Sequence, residues 1–233
     1  MTSGRSSEAV DLATRARTNS LAVLVVPVVL GPLLWWRFGS PSWSAVGLGA
    51  AGWIVAFTLR GPLGLALSRT TTTRQRVSTV LAAASGPLEE LVRLALVLLF
   101  LTDPPTALWA GAGWATVEVV FTTVNGLVLS SVLGRDDEQA RKVRDLLGEQ
   151  GIAQDVGFGW GVLERVSATA LHIGFTLTLF ANPWWVVLTA PLHSALNLGA
   201  LTLVRRSVAL TEAVIATAGA LVFVAGLLLA GPI

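Results

Sequence analysis

The chain has 233 residues, 53% of them hydrophobic, with a mean hydropathy of +0.70. This composition is too apolar for a soluble domain and indicates an integral membrane protein, and the net charge of only +2 argues against a nucleic-acid partner despite a pI near 10.3. The absence of cysteine excludes thiol catalysis, disulfides and cysteine–zinc sites. Because tyrosine is also absent, any proton chemistry falls to Glu, Asp, His, Lys or water.

Seven apolar runs are long enough to cross a bilayer, so we expect an all-α, polytopic transmembrane helix bundle. Residues 1–19 are predicted to be a cytosolic tail, and 20–233 a single transmembrane domain. Pro27 and Pro32 predict kinks in the first run, which we interpret as a retained span rather than a cleaved signal peptide. The predicted spans are 20–36, 43–59 with an extension to 67, 77–101, 106–132, 156–181, 184–204 and 208–229.

Two links between the runs carry clear signals. Asp103-Pro104-Pro105 predicts a sharp turn after the third run. The longest loop, 134–155, predicts a short amphipathic helix on the cytosolic membrane face, although a plain solvated connector is the competing interpretation. The pattern behind this prediction is the i,i+4 pairs Asp137/Arg141, Glu138/Lys142 and Arg141/Asp145 beside the apolar stripe Val143, Leu146 and Leu147.

The basic residues predict the orientation. Of the 16 Lys and Arg residues, 13 fall in the tail and in the three links that alternating spans place on one side, with Arg60 counted in the second link. Arg37 falls on the opposite side, and Arg93 and Arg165 lie within spans. Because positively charged loops stay in the cytosol, we predict seven spans in the plasma (inner) membrane, with the N-terminus inside and the C-terminus outside.

The third run contains the segment Ser85-Gly86-Pro87-Leu88-Glu89-Glu90-Leu91-Val92-Arg93, which places two adjacent carboxylates and an arginine inside a span. Each charge at the centre of a lone helix costs about 2.5–3.5 kcal/mol, so three would cost roughly 8–10 kcal/mol. That cost predicts an inward-facing polar cluster with partners on other helices. An ionisable residue within the membrane is by default a functional-site hypothesis.

Polar residues on four spans fall at one depth. Glu90 lies about 11 residues from the outer end of the third span, and Glu118 about 12 from that of the fourth. His172 and His193 each lie about 9 residues in, so all four residues fall within roughly 5 Å of one level. Asn197 shares the face of His193 at i+4. We therefore expect a polar cluster near the middle of the membrane.

Structural roles compete with this functional interpretation. Glu89 and Arg93 are spaced for an ion pair that locks helices together, and Glu118 for a protonated acid that bonds a neighbouring helix. The adjacent Glu164 and Arg165 are equally consistent with a structural pair near the cytosolic interface. Histidines and amides inside helices also serve as interhelical hydrogen-bonding groups.

The cluster contains the groups needed to activate water with a metal. In this version His172, His193 and a glutamate, Glu90 in the set we favour, bind Zn²⁺ and leave one position open for water. The remaining glutamate is then the general base. The predicted reaction is hydrolysis of a peptide bond inside the membrane.

A metal-free version uses the same residues. Glu89 or Glu90 removes the proton from water directly, while Arg93 keeps the other carboxylate ionised. His193 or Asn197 then donates a hydrogen bond to the oxyanion of the attacked amide. Serine chemistry is disfavoured, because the serine of Ala84-Ser85-Gly86 has no evident dedicated base.

Four motifs follow one another along the chain: Glu89-Glu90-x-x-Arg93, Gly-x-x-x-x-Glu ending at Glu118, Glu164-Arg165 with His172 seven residues after the arginine, and His193-x-x-x-Asn197. In this order they resemble the YhfC-type intramembrane metalloproteases, relatives of PrsW and of the CAAX-prenyl endopeptidase and bacteriocin-processing (CPBP/Abi) membrane proteases. The resemblance covers residues 77–204 and implies a glutamate-activated water with histidines beside it. The positions to which the resemblance assigns these roles are Glu89, Glu90, His172, His193 and Asn197.

The chain departs from the CAAX group in two places. Two residues separate Glu90 from Arg93 where that group has three, and Ala168 stands where it has phenylalanine. The resemblance therefore does not imply specificity for prenylated substrates.

Three functions are compatible with these patterns. The first is an intramembrane endopeptidase that acts on a membrane-embedded or membrane-proximal protein or peptide, with zinc as the cofactor of the metal version and no nucleic-acid partner. The second is a proton- or ion-coupled transporter, although no inverted repeat is evident in the sequence. The third is a non-catalytic membrane scaffold or immunity protein with the same fold.

Overall fold

A computed structural model describes residues 2–70, 73–149 and 157–233, and within these ranges the chain is helical with no β-strand, which confirms the all-α prediction. The predicted start of the fifth span at Val156 and the predicted loop end at Asp155 lie outside the described residues. The helices are α1 (Thr2–Ala22), α2 (Val25–Phe38), α3 (Trp43–Ser68), α4 (Arg74–Phe100), α5 (Pro104–Leu133), α6 (Glu138–Glu149), α7 (Phe158–Ala181), α8 (Val186–Leu203) and α9 (Val208–Ala230). A short 3₁₀ turn, Pro183–Trp185, precedes α8.

Five stretches of the described chain are long and apolar enough to cross a membrane, so the chain is a membrane protein by the length and composition of its helices. They are α1 from Val10 together with α2, then α3, α5, α8 with its preceding turn, and α9. Of the seven predicted spans, α4 and α7 do not meet this standard. These two helices carry the groups Glu89/Glu90/Arg93 and Glu164/Arg165 that were predicted within spans, and these charges lower the hydropathy of their helices.

The first predicted span is divided into two helices. α1 ends at Ala22 and α2 begins at Val25. Pro27 has no N–H to donate to the carbonyl of Val23 four residues earlier, so the predicted kink takes the form of a break. Pro32 lies inside α2 without ending it.

The predicted tail is helical. α1 begins at Thr2 and continues without interruption past residue 19, where the tail was predicted to end. Ser20 lies directly against Gly126 of α5, so α1 joins the bundle.

α3 runs through Pro62 to Ser68, as the predicted extension of the second span requires. Arg60 therefore lies inside α3, which corrects its assignment to the second link. Helices in membranes tolerate such a proline because neighbouring groups replace the lost hydrogen bond.

The turn after α4 has the predicted form. Asp103 is the N-cap of α5: its side chain accepts from the N–H of Thr106, and the Thr106 hydroxyl accepts from the N–H of Asp103. α5 then crosses the centre of the bundle and contributes the largest share of the core, including Leu108, Trp109 and Trp114.

The predicted amphipathic helix in the loop is α6. Lys142 pairs with Glu138 at 2.6 Å, as predicted, whereas Arg141 lies 3.7 Å from Asp136. Asp137 pairs with Arg135 and accepts from the N–H of Ala140, and this N–H hydrogen bond, with the arginine, lowers the pKa of the Asp137 carboxyl.

α6 is also tied to the bundle by Arg144. Its guanidinium donates to the carbonyls of Leu133 and Arg135 at 2.7 and 2.9 Å, which satisfies groups left open at the end of α5. The cytosolic-face placement of α6 remains a prediction.

Candidate functional site

The segment that carries the acidic pair is held against α8 by its proline. Pro87 lies inside α4 and cannot donate to the carbonyl of Ala83, four residues earlier. The hydroxyl of Ser194 on α8 donates to that carbonyl at 2.7 Å and replaces the missing bond. Gly86 makes the close approach feasible, because a Cβ there would lie 2.6 Å from the backbone nitrogen of Ser194. Proline and glycine thus bring α8 to the acidic pair.

Arg93 is completely buried and connects α4 to α7. Its Nη1 donates to Thr176 Oγ1 at 2.9 Å and to the carbonyl of His172 at 3.2 Å. Its Nε lies 3.2 Å from Glu90 Oε1, closer than the 4.0 Å between its Nη2 and Glu89 Oε2. The predicted Glu89–Arg93 pair is therefore present, but Glu90 is the nearer partner. The guanidinium carbon also lies 4.1 Å from the ring centroid of Trp114, a cation–π distance.

The contacts of His172 determine its tautomer. Arg93 Nη2 lies 3.0 Å from His172 Nδ1, and a guanidinium can only donate, so Nδ1 accepts. The proton of the neutral ring is consequently on Nε2, which donates to Glu118 Oε2 at 2.7 Å. Glu118 also accepts from Arg165 Nη1 at 2.8 Å and from the indole N–H of Trp53 at 3.2 Å. The predicted lone acid is therefore a carboxylate with three donors.

His193 has the opposite arrangement. Its Nδ1 lies 2.9 Å from Glu90 Oε1 and donates to that carboxylate, which leaves Nε2 as the acceptor of the neutral ring. Nε2 lies 3.8 Å from Glu89 Oε2. The ring stacks on Phe175 at 5.4 Å between centroids and lies 5.9 Å from the ring of His172. Both histidines are thus part of one cluster.

The two adjacent glutamates have different surroundings. Glu89 lines a cavity of about 1140 Å³ and pairs with Arg60 of α3, while its Oε2 has no hydrogen-bond partner among the described residues. Glu90 is fully buried behind it, between Arg93 and His193, and does not line the cavity. The carboxylate that meets the cavity is therefore Glu89.

The cavity joins the predicted site residues of several helices. Glu118, His172, His193 and Asn197 line it together with Glu89. Asn197 Nδ2 donates to the hydroxyl of Ser85 at 2.6 Å.

Ser85 is engaged by its own helix and by α8. Its hydroxyl donates to the carbonyl of Ala82 at 2.8 Å and accepts from Asn197, so neither contact is with a base. That serine chemistry is disfavoured stays a prediction.

All seven predicted site residues therefore lie in or directly behind one cavity. Three residues contact members of the site without being predicted to belong to it: Arg60, Trp53 and Thr176. Arg60 had a usable signal, since it lies inside an apolar run that continues past a proline. Trp53 and Thr176 had none, because such residues occur throughout apolar helices.

A metal was predicted on His172, His193 and Glu90. The structure brings a different set together: one ligand atom each of Glu89, Glu118 and His172 lie within 4.8 Å of one another. A metal-bound histidine normally donates its other N–H to an acceptor. His172 faces the donor Arg93 there, and both carboxylates already face an arginine, so this set does not fit a metal well.

His193 alone has the geometry of a metal-binding histidine, with its Nδ1–H on the Glu90 carboxylate. One such ligand does not make a three-ligand zinc site.

No protein-family model, curated protein or solved structure matches this chain.

Proposed function

We propose that this protein is an intramembrane endopeptidase that hydrolyses a peptide bond with a water activated by glutamate. The observation that supports the proposal is the cavity lined by Glu89, Glu118, His172 and His193 within a bundle of apolar helices. Keeping so many charged groups inside such a bundle is costly, and an ion pair that only locks helices does not need a cavity. Hydrolysis inside a membrane requires a space that can hold water and a peptide beside a glutamate, and this cavity has such a lining.

Glu89 is the general base in this mechanism. The Glu89 side chain lines the cavity, and its buried Oε2 has no hydrogen-bond partner in the described part of the chain. In the proposed mechanism this oxygen takes one proton from a water molecule, whose oxygen then attacks the carbonyl carbon of the peptide bond. Arg60 lies on its other oxygen and orients the carboxylate. When the C–N bond breaks, the proton passes to the leaving amine, so that one water is consumed and an acid and an amine are released.

Asn197 stabilises the oxyanion. Its Nδ2 carries two N–H groups, of which one is donated to Ser85, so the other is available to the carbonyl oxygen under attack. His193 Nε2, 3.8 Å from Glu89 Oε2, is placed to relay the proton between the base and the leaving amine. Glu90 acts through His193, because it holds the ring by Nδ1.

We favour the metal-free version of the chemistry. His172 accepts from Arg93 and is therefore a poor zinc ligand, which removes one of the three predicted ligands. Elemental analysis of the purified protein tests this choice together with the His172→Ala and His193→Ala variants. We expect an active preparation without stoichiometric metal; stoichiometric zinc that is lost in both variants would select the metal version instead.

The proposed topology has seven spans, with α4 and α7 crossing beside the five apolar stretches. Its support is that α4 lies antiparallel to α3 along its length: Gly64 approaches Leu81 and Gly52 approaches Leu96. The charged side chains of α4 and α7 have partners inside the bundle and do not face lipid. The mean hydropathy of these two helices therefore underestimates how stable they are as membrane spans. In this topology the protein lies in the plasma membrane. Because the links rich in Lys and Arg stay in the cytosol, the N-terminus is cytosolic and the C-terminus is outside.

The resemblance to the YhfC-type and CPBP/Abi membrane proteases implies the same chemistry, and this kinship is part of the proposal. The residues to which the resemblance assigns a role include Glu89, His172, His193 and Asn197, and all four line one cavity.

The test is a comparison of newly formed N-termini of membrane proteins in cells that express either the wild type or a variant. The informative variants are Glu89→Ala, Glu90→Ala and His193→Ala, and the control is Glu138→Gln on the exposed face of α6. We expect a set of cleavage products that is present with the wild type and the control and lost in all three site variants. Variant and wild-type protein are compared at equal folded, membrane-inserted amounts.

Unchanged cleavage in both Glu90→Ala and His193→Ala would end the peptidase proposal. Flux that depends on a pH gradient in liposomes, without cleavage, would assign the cluster to transport. If the wild type shows neither cleavage nor flux, and the variants only lose stability, the protein would be a non-catalytic membrane scaffold.

A further inference from the structure

The cavity continues beyond the Glu/His cluster toward one end of the bundle. Its lining there comes from the C-terminal halves of α3 and α8 and the N-terminal halves of α4, α7 and α9. All five halves meet at the end where the chain carries its basic links. A substrate peptide that occupies the cavity therefore extends toward that end.

This part of the cavity has more carboxylates than cations. Arg165 is shared between Glu118 and Glu164, since it donates to both. Glu212 of α9 lines the same space and has no arginine of its own among the described residues. The other arginine of the cavity wall, Arg60, pairs with Glu89, which leaves Arg165 as the guanidinium for the three carboxylates Glu118, Glu164 and Glu212.

Glu212 is the observation that points to a ligand. It is 7% exposed, it lines the cavity, and its Oε2 has no hydrogen-bond partner in the described part of the chain. A buried polar atom without a partner costs free energy that native structures rarely leave uncompensated. The Glu212 side chain lines the cavity, so a rotation of its carboxylate brings the buried Oε2 within reach of a bound group that supplies the missing partner.

The chemistry of the missing partner is cationic. Ammonium and guanidinium groups donate and cannot accept, which suits Glu212, whose Oε2 has no partner, and Glu164, which shares Arg165 with Glu118. Membrane proteins carry Lys and Arg at the cytosolic ends of their spans. A substrate segment that lies beside this bundle follows the same rule, so it presents a basic side chain at the end where the carboxylates are.

We propose that Glu164 and Glu212 form a subsite for a Lys or Arg side chain of the peptide that occupies the cavity. This inference rests on the proposed peptidase function and specifies its substrate class. Glu164 precedes His172 by eight residues on α7, about 12 Å along the helix axis. His172 lies beside His193, the proposed proton relay, with 5.9 Å between the ring centroids, so it marks the level of the bond that is cut. An extended peptide covers the roughly 12 Å in about three to four residues, so the basic residue lies about that many residues from this bond.

The experiment measures binding and therefore does not depend on cleavage. The full-length protein is placed in nanodiscs of phosphatidylcholine and phosphatidylglycerol. Two fluorescent peptides of leucine and alanine, identical except for one Arg or one Gln near an end, are titrated by anisotropy, and mass spectrometry confirms that they remain intact. We expect the Arg peptide to bind the wild type at least about tenfold more tightly than the Gln peptide.

Glu212→Gln is expected to reduce that preference to within about twofold, and the half-exposed Glu164→Gln to reduce it in part. Glu138→Gln on α6 makes the same change in charge away from the cavity and is expected to leave the preference unchanged. Equal binding of both peptides by the wild type, or an unchanged preference in Glu212→Gln, would overturn the proposal. Loss of the preference when phosphatidylethanolamine is added would assign the subsite to a lipid amine and would overturn it as well.

The products of the cellular experiment give a second readout. We expect the new N-termini to lie about three to four residues from a Lys or Arg. Products without a basic residue at that distance would contradict the subsite while leaving the peptidase function intact. An absence of products, with the binding preference present, would contradict the peptidase function alone.

Discussion

Replacing Arg93 by methionine tests whether the cluster is held together as its contacts indicate. Methionine keeps most of the apolar stem and removes every donor. The variant leaves Glu90 without its nearest cation, His172 Nδ1 without a donor and Thr176 without its arginine bond, all in a completely buried region. We therefore expect Arg93→Met to be folded but substantially less stable than the wild type.

Two estimates bound the loss of unfolding free energy. Removing one partner of a buried ion pair costs about 3–5 kcal/mol in soluble proteins. Hydrogen bonds between helices in a membrane average only about 0.6 kcal/mol, because the unfolded chain in the membrane also finds partners, so the three bonds to α7 give about 2 kcal/mol. Together the two estimates give an expected loss of about 2–5 kcal/mol. The cation–π contact with Trp114 is not added to this range, because the interactions of one side chain are not additive.

The assay is reversible unfolding by SDS in mixed micelles, followed by intrinsic fluorescence from the 9 tryptophans. The control is Arg141→Met on α6, whose side chain is 59% exposed and lies 3.7 Å from Asp136, a kind of pair worth about 0–1 kcal/mol. A loss in Arg93→Met no greater than in the control would refute this account of the cluster.

A double variant gives an independent check. Adding Glu90→Gln to Arg93→Met removes the bare carboxylate that the single change creates, so the double loss should be smaller than the sum of the two single losses by about 1 kcal/mol or more. Strict additivity would mean that the two side chains are not coupled.

Three further predictions concern the bundle. Ser194→Ala removes the donor to the carbonyl of Ala83 and should cost about 0.6–1.7 kcal/mol in the same unfolding assay, whereas no measurable loss would show that another group takes its place. Because the chain has no cysteine, Glu138→Cys and Trp184→Cys can be labelled singly with an impermeant maleimide; we expect labelling of Trp184→Cys from outside intact cells and of Glu138→Cys only after lysis, and the reverse pattern would invert the topology. The lowered pKa of Asp137 stabilises the start of α6 above the unfolded-state pKa of about 3.9 and loses this effect as the pH falls below it, so hydrogen exchange there, corrected for intrinsic rates, should accelerate in acid, and Asp137→Asn should abolish that pH dependence.

The sequence by itself determined the helical class, most of the helices and the membership of the cluster. A run of apolar residues defines a helix and its length, and the regular rise along a helix assigns a depth to each polar residue. Glu118, His172 and His193 could be grouped in this way before any contact was known. The amphipathic helix α6 was equally accessible, since its pattern is local.

Only the tertiary structure decided which atoms meet. Glu89 and Glu90 are neighbours that point about 100° apart around their helix, and the packing of α3, α7 and α8 determines that one meets the cavity while the other is buried against Arg93. Arg60 became a partner of Glu89 because α3 continues through its proline, which composition did not require. Depth is a property of one helix, whereas hydrogen-bond partners, tautomers and a cavity arise from the relative rotation of several.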